Sequence, residues 1–450
     1  MQQGKLSKLF LEKTKGGQMS NTAVIEQKPT IIKVKASARS ETSILRNFPI
    51  ILMAITYGVF FVIDDFSIGA TVFVVVMSLA LLVHALFHLD ELSRFKPSKM
   101  MWCFFFIILL VLINIRDFDY LSRHPFYIFT MVYSLLAIPF IKINLRTIKA
   151  LFVILLIPGL IASFAIILNR FSPSTYTSLI LSRLSASSVN EYYFLTKQGY
   201  GAILGANIGL TGSYLTTGII LSFSYLLIDK GKHRFLMFIY LAILVLSLVL
   251  LNRRGEPLGV LAACYIMILV KSKKRIPIFI VTLLLVLIAA FVIISIPPDA
   301  FDTSNRLFSI LKSLQEGIDI TNGRGELYGI AANLFIESPL FGIGWGGFTQ
   351  YGSQVIGIVN NVHNIYLQLF TEIGVIGVIV LIVLLTVIIK KAYRGRPTLT
   401  KYSLTAYGTI AFVLVFGLFD NPIFQDYFFV YFIPILLFLS LGRKPKWSTL

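Results

Sequence analysis

The sequence is poor in charge, cysteine and histidine. Only 14% of its 450 residues are charged while 56% are hydrophobic. That balance excludes an ordinary soluble domain and suits a polytopic membrane protein. The two cysteines, Cys103 and Cys264, both fall inside apolar runs. They cannot frame a disulfide scaffold, and their spacing fits no metal site. Acidic residues are also scarce, 21 against 40 Lys and Arg, for a formal charge of +19. Basic loops beside membrane spans account for that excess more simply than nucleic acid does, so no nucleic-acid partner is expected. No cleavable signal pattern precedes the first long apolar run, which begins near Phe48.

Long apolar runs are what the chain has instead. About twelve approach the ~20 residues that a spanning helix needs. They lie near 48–63, 66–87, 100–115, 126–141, 148–168, 201–228, 235–251, 257–270, 276–296, 362–389, 402–419 and 427–441. The expected fold is an all-α polytopic membrane bundle forming one domain over 47–442. Residues 1–46 read as a disordered cytoplasmic tail that touches anionic lipid, and 443–450 as a second cytoplasmic tail.

With both termini inside, most of the Lys and Arg face the cytoplasm, as orientation by positive charge requires. The outward remainder is Arg116, Arg123, Arg170, Arg183, Lys197, Arg253, Arg254, Arg306, Lys312 and Arg324. Topogenesis does not distinguish arginine from lysine, yet this outward set is mostly arginine. A planar fork that pairs two oxygens at once is what a phosphate or pyrophosphate needs. The outward face therefore reads as an anion-binding face, built mainly from two long segments at 169–200 and 297–361.

The second of these runs into the stretch Asn322–Gly377, around which the chain is organised. Leu327, Ile330, Ala331 and Leu334 recur at helical spacing, with Thr321 or Asn322 to cap the start and Pro339 just past the end. A turn cluster follows at Gly342-Ile343-Gly344-Trp345-Gly346-Gly347. His363 and Asn364 mark the return to an apolar run, where His363 reads as the start of a helix with Tyr366 and Phe370 on its face. The other outward histidine, His124, precedes Pro125 and reads as structural.

Arg253-Arg254-Gly255-Glu256 fits either a tight turn or a pyrophosphate clamp opening among the helices. Arg324 fits either a headgroup anchor or a second fork on the diphosphate. Glu372, deep in a span and turned away from His363, reads as a structural hydrogen-bond partner near Gly374 and Gly377. Asp420-Asn421-Pro422 reads as a plain turn. The glycines at 199, 201, 205, 209, 212 and 218 fit close helix packing, or a broken helix lining a groove.

The segment LVLLNRRGEPLGVLAACYIMILV resembles the apolar–(Ser)-Arg-Gly–apolar signature of the bacterial O-antigen ligase and polymerase family. In the same order follow Arg324, Pro339, Gly342-Ile343-Gly344, Gly347-Phe348, His363-Asn364-Ile365-Tyr366-Leu367 and Glu372-Ile373-Gly374. The resemblance covers 252–377. Arg253 stands where the family has serine, so Arg254 aligns with the family's arginine.

The resemblance implies a transferase of polyprenyl-diphosphate-linked glycans in the bacterial cytoplasmic (inner) membrane, working at its outer face without metal or other cofactor. Polymerases join one repeat unit to the next; ligases move a finished glycan to a lipid or protein. The expected catalytic residues are His363, Arg254 and Arg324. Arg183, Arg253, Trp345, Asn364 and Tyr366 are assigned to the substrate. Expected partners are undecaprenyl-diphosphate-linked oligosaccharides and membrane lipids, with a chain-length regulator and a flippase as further candidates.

The chemistry of the residues agrees. A glycosyl diphosphate carries its own leaving group, arginine stabilises the charge that develops on it, and a neutral histidine activates or orients the attacking hydroxyl. A transporter would carry midplane charges and internal repeats. The runs here are nearly free of charge apart from Glu372, and the two halves show no repeat.

Overall fold

The computed structural model describes residues 145–184, 186–197, 199–201, 208–253, 255–295, 324–352, 361–394, 400–422 and 431. Both expected tails, the four runs before residue 145 and most of the 427–441 run lie outside the described residues, as do His124 and Arg254.

Every regular element among the described residues is helical. In chain order they are α1 (Leu145–Phe171), α2 (Pro173–Leu179), a 3-10 turn (Leu181–Arg183) and α3 (Ala186–Lys197). The bundle continues with α4 (Ile208–Ile228), α5 (Arg234–Leu251), α6 (Gly255–Lys271) and α7 (Arg275–Ser295). Then come α8 (Arg324–Glu337), the short α9 (Gly347–Tyr351), α10 (Ile365–Arg394) and α11 (Lys401–Phe416). Four are long and apolar enough to cross a membrane: α1 from Lys149, α4, α5, and α10 over Ile365–Val383. The described part of the protein is thus all-helical with four candidate membrane spans, and the expectation of about twelve spans extends to segments outside those described.

α4 is the central helix. It packs against α1, α5, α6 and α11, and its buried face runs almost unbroken from Gly209 to Ser222. Most of its buried hydroxyls are satisfied inside the bundle, Thr217 being the exception. Ser213 donates to the Gly209 carbonyl at 2.7 Å and Ser222 to Gly218 at 2.8 Å, and Ser224 shares a 2.6 Å bond with Thr405 of α11. Such back-bonding costs little where water is absent.

Glycine permits the closest approaches. A Cβ on Gly218 would sit 2.8 Å from the Tyr240 hydroxyl, and one on Gly159 of α1 would sit 2.9 Å from it. Tyr240 of α5 therefore fills a notch between α1 and α4. A Cβ on Gly212 would meet the Glu256 carboxylate at 2.6 Å. Close packing is thus the role of Gly212 and Gly218.

α6 lies along α11 through Gly255 and Gly259, where added Cβ atoms would strike the rings of Phe416 and Phe412. At its first turn α11 is fixed by a capping box between Thr400 and Ser403. Lys401 pairs there with Asp229 and lies over the Tyr225 ring, 4.3 Å from its centroid. At 1.5 Å per residue, the other end of α11 is about 24 Å away.

α10 is broken. Gly374 has φ 63° and ψ −175°, a conformation close to glycine-only. A break inside a span would strand four backbone groups in a medium without water. The loop after α8 replaces the missing bonds one for one. Ile343 N donates to Thr371 O at 2.9 Å and Gly344 N to Glu372 O at 3.0 Å. In return, Val375 N donates to Pro339 O at 2.9 Å and Ile376 N to Leu340 O at 3.2 Å. The glycine cluster read from the sequence is thus a re-entrant loop, and Gly342 lets it touch the Glu372 backbone.

Candidate functional site

The turn that ends α11 gathers most of the site. The last carbonyls of a helix lack partners within it and carry the negative end of its dipole. Here donors come from two other parts of the chain, the starts of α10 and α8. Ile365 N donates to Gly417 O at 2.8 Å, Asn364 Nδ2 to Leu418 O at 3.3 Å, and Arg324 Nη1 to Phe419 O at 2.6 Å. Gly417 is required because an added Cβ would strike Ile365.

Asp420 comes next and is buried. Its Oδ2 accepts from Arg253 Nη2 at 2.9 Å, and its Oδ1 lies 3.2 Å from His363 Nδ1. Oδ1 also accepts from Asn421 N at 2.8 Å. Burial alone would push the carboxyl up, but the His363 hydrogen bond and the Arg253 charge prevail and hold it well below the usual aspartate range. An ionised Asp420 only accepts, so His363 donates through Nδ1. The neutral ring then carries its lone pair on Nε2.

His363 does not begin the helix. It precedes it, with φ 55° in the left-handed region. Asn364 is the cap: its Oδ1 accepts from Tyr366 N at 3.0 Å and Leu367 N at 3.1 Å. The strained histidine therefore stands off the helix axis, its side chain 25% exposed and directed at Asp420. Tyr366 donates to the Leu414 carbonyl of α11 at 2.5 Å. Trp345 is buried against Ile365, Leu369, Ile373 and Val378.

Arg253 occupies the joint between α5 and α6, pairing with Glu256 as well as Asp420. Glu256 is almost completely buried, so this guanidinium is held between two carboxylates. The preceding Asn252 caps α5 in the left-handed conformation, and its Nδ2 donates to Gly199 O at 2.8 Å. Gly201 N donates to Leu251 O at 3.1 Å. The end of the first long polar segment is therefore tied to this joint. Arg254 lies outside the described residues, although the chain holds it between Arg253 and Gly255.

Arg183 sits elsewhere. It is exposed at the end of the 3-10 turn, whose neighbour Leu181 packs with Tyr176, Tyr192 and Leu195 on Ala165 of α1. No contact among the described residues joins Arg183 to the α11 turn. Glu372 fixes the re-entrant loop, accepting from Gly346 N at 2.9 Å and from Gln368 at 3.0 Å. Among the described residues, no group of three His, Cys, Asp or Glu side chains is placed to share a metal ion.

Asp420 is the residue that sequence reasoning undervalued. Asp-Asn-Pro after an apolar run has the composition of a turn, and nothing local marks it as the meeting point of residues 57 and 167 positions away. The two polar residues in a row where a span ends, Asp420 and Asn421, were the available signal.

A charged cluster at one set of helix ends, beside a span whose break is bonded by a loop, defines a helical membrane protein with a polar site at one end of its bundle. Residues 236–382 match the family model described as O-antigen ligase, so this part of the chain is similar to that family. Its members are membrane glycosyltransferases of the bacterial envelope. No curated protein matches the chain.

Proposed function

We propose that the protein polymerises undecaprenyl-diphosphate-linked oligosaccharide repeat units at the outer face of the bacterial cytoplasmic membrane. The observation that carries this reading is the convergence of Arg324, His363 and Arg253 on the turn at Phe419 and Asp420. In this proposal the protein is a bundle of about twelve spans with both termini cytoplasmic and the site facing outward.

The step is a glycosyl transfer. A hydroxyl of one lipid-linked unit attacks the anomeric carbon of the glycan on another. A new C–O bond forms, and the bond from that carbon to the diphosphate oxygen breaks. Its electron pair leaves with undecaprenyl diphosphate, and the hydroxyl proton passes to His363 Nε2. Asp420 holds the ring in the tautomer that can accept it and stabilises the imidazolium that results, as an orienting carboxylate does in hydrolytic triads.

Arg254 and Arg324 hold the diphosphate as charge builds on it, with no metal required. Arg183 adds a contact from the first outward segment. Arg253, bracketed by Glu256 and Asp420, sets the joint between α5 and α6, and Asn364, Tyr366 and Trp345 hold His363 in place beside the acceptor. A second reading, transfer of a finished glycan to a lipid or protein, is favoured by the family description as a ligase. The two share donor chemistry and differ in acceptor.

The test is to incubate the purified full chain in vesicles with an undecaprenyl-diphosphate repeat unit. A ladder of longer lipid-linked glycans supports the polymerase. Transfer only to an added lipid or protein acceptor moves the assignment to ligase. Movement of the unit across the bilayer with its glycan unchanged refutes both and points to a carrier.

A further inference from the structure

One buried amide bonds the neighbours of both His363 and Asp420 without being part of the chemistry. Gln368 lies one turn into α10 with no exposed surface. Its Oε1 accepts from Val362 N at 3.4 Å and from Asn421 Nδ2. Its Nε2 donates to Asn361 Oδ1 at 3.3 Å and to Glu372 Oε1 at 3.0 Å. A glutamine amide offers two donors and two acceptor lone pairs, so its capacity is filled.

The partners are what give this arrangement meaning. Val362 immediately precedes His363, and Asn421 immediately follows Asp420. Glu372, the fourth partner, accepts from Gly346 of the re-entrant loop. Turning the amide over would set its NH2 against the Val362 N–H and the Asn421 NH2, and its oxygen against a carboxylate. The network therefore admits one orientation of Gln368 and fixes both backbone segments that carry the Asp–His pair.

We propose that Gln368 is a positioning residue that holds His363 and Asp420 in register for transfer, with Glu372 orienting its amide. The proposal rests on the transferase reading above for its activity arm alone. Gln368 touches neither substrate nor reacting atom; it acts through Val362 and Asn421.

The test is an exchange of the amide and the carboxylate across one helical turn. Gln368→Glu removes both donors and sets two carboxylates against each other. Adding Glu372→Gln restores complementarity: a carboxylate at 368 accepts from Val362, from Asn421 and from the new amide at 372. The carbonyl oxygen of that amide still accepts from Gly346, and Asn361 must turn over, with the Thr349 hydroxyl 3.4 Å from its Oδ1 rotating to match.

In full-length protein in vesicles, Gln368→Glu is expected to lower kcat about 100-fold with KM little changed, the scale of a 1 Å misplacement. The double variant is expected to recover to within about tenfold of wild type, as coupling through one contact requires. The modification rate of His363 by diethyl pyrocarbonate, read by peptide mass spectrometry, should change in the single variant and return in the double.

Wild-type kcat and labelling in Gln368→Glu would overturn the proposal. So would a double variant no better than the single in both readouts. Labelling that shifts and recovers while wild type transfers no glycan would support the bracket and overturn the transferase reading instead.

Discussion

Gly374→Ala attacks the feature on which the site's shape depends. The residue holds φ 63° and ψ −175°, and an alanine there is strained by about 1–3 kcal/mol before any contact is considered. Its Cβ would also lie 2.6 Å from Gly342 N and against the Leu340 carbonyl. These are backbone atoms of the re-entrant loop, so the loop must move. Four backbone bonds cross this contact. If two are broken without replacement, each costs about 1–3 kcal/mol in a site that water does not reach.

The total loss is then about 3 kcal/mol or more. Glycan transfer should fall with it, because the same loop bonds Glu372 and, through Gln368, the segment that carries His363. Thermal unfolding in detergent, with the transfer assay beside it, measures both. Gly329→Ala is the control: it lies in α8, and an added Cβ meets nothing within 4 Å. An unfolding midpoint for Gly374→Ala equal to that of the control would refute the account of the break.

Three other outcomes follow from the α11 turn. Asp420→Asn keeps the shape but sets an amide where a charge stood between Arg253 and His363. It should lower kcat by about 100-fold or more, and transfer within twofold of wild type would exclude an orienting role. The pH dependence of stability has a defined sign. Asp420 is held below its ordinary value, so its ionised form contributes in full above the usual aspartate range and is lost as pH falls through the folded value. The stability gap between wild type and Asp420→Asn should thus stay constant above about pH 5 and close below about pH 4. Arg324→Lys keeps the charge but loses the fork, and should lower transfer about tenfold through the charge-assisted bond to Phe419.

Much of the helical layout was legible because apolar length is a direct signal of spanning helices. The runs read at 148–168, 235–251, 257–270 and 276–296 match α1, α5, α6 and α7 within a few residues, and α8 ends just before Pro339. The run read from 201 begins as a helix only at Ile208. The polar segment read at 169–200 is not a bare loop but holds α2, a 3-10 turn and α3. Its apolar contacts are few and local, so no long period announces them.

The site was legible residue by residue but not in its wiring. Arg324 and His363 were chosen for their chemistry and position. That they meet at the turn of Phe419 and Asp420 depends on how α8, α10 and α11 cross, and a single chain does not encode those crossings as a local pattern. The glycine cluster was read as a turn; its pairing with a break at Gly374 rests on contacts about 30 residues apart.

The central claim is that this site transfers a glycan from a lipid diphosphate to a hydroxyl. The most direct measurement is the release of undecaprenyl diphosphate per glycosidic bond formed, with purified wild type, Arg254→Ala and His363→Ala. The account predicts one diphosphate per bond for wild type, with both products lost together in variants that still unfold cooperatively. Bond formation undiminished in both variants, or diphosphate released without any new bond, would contradict it.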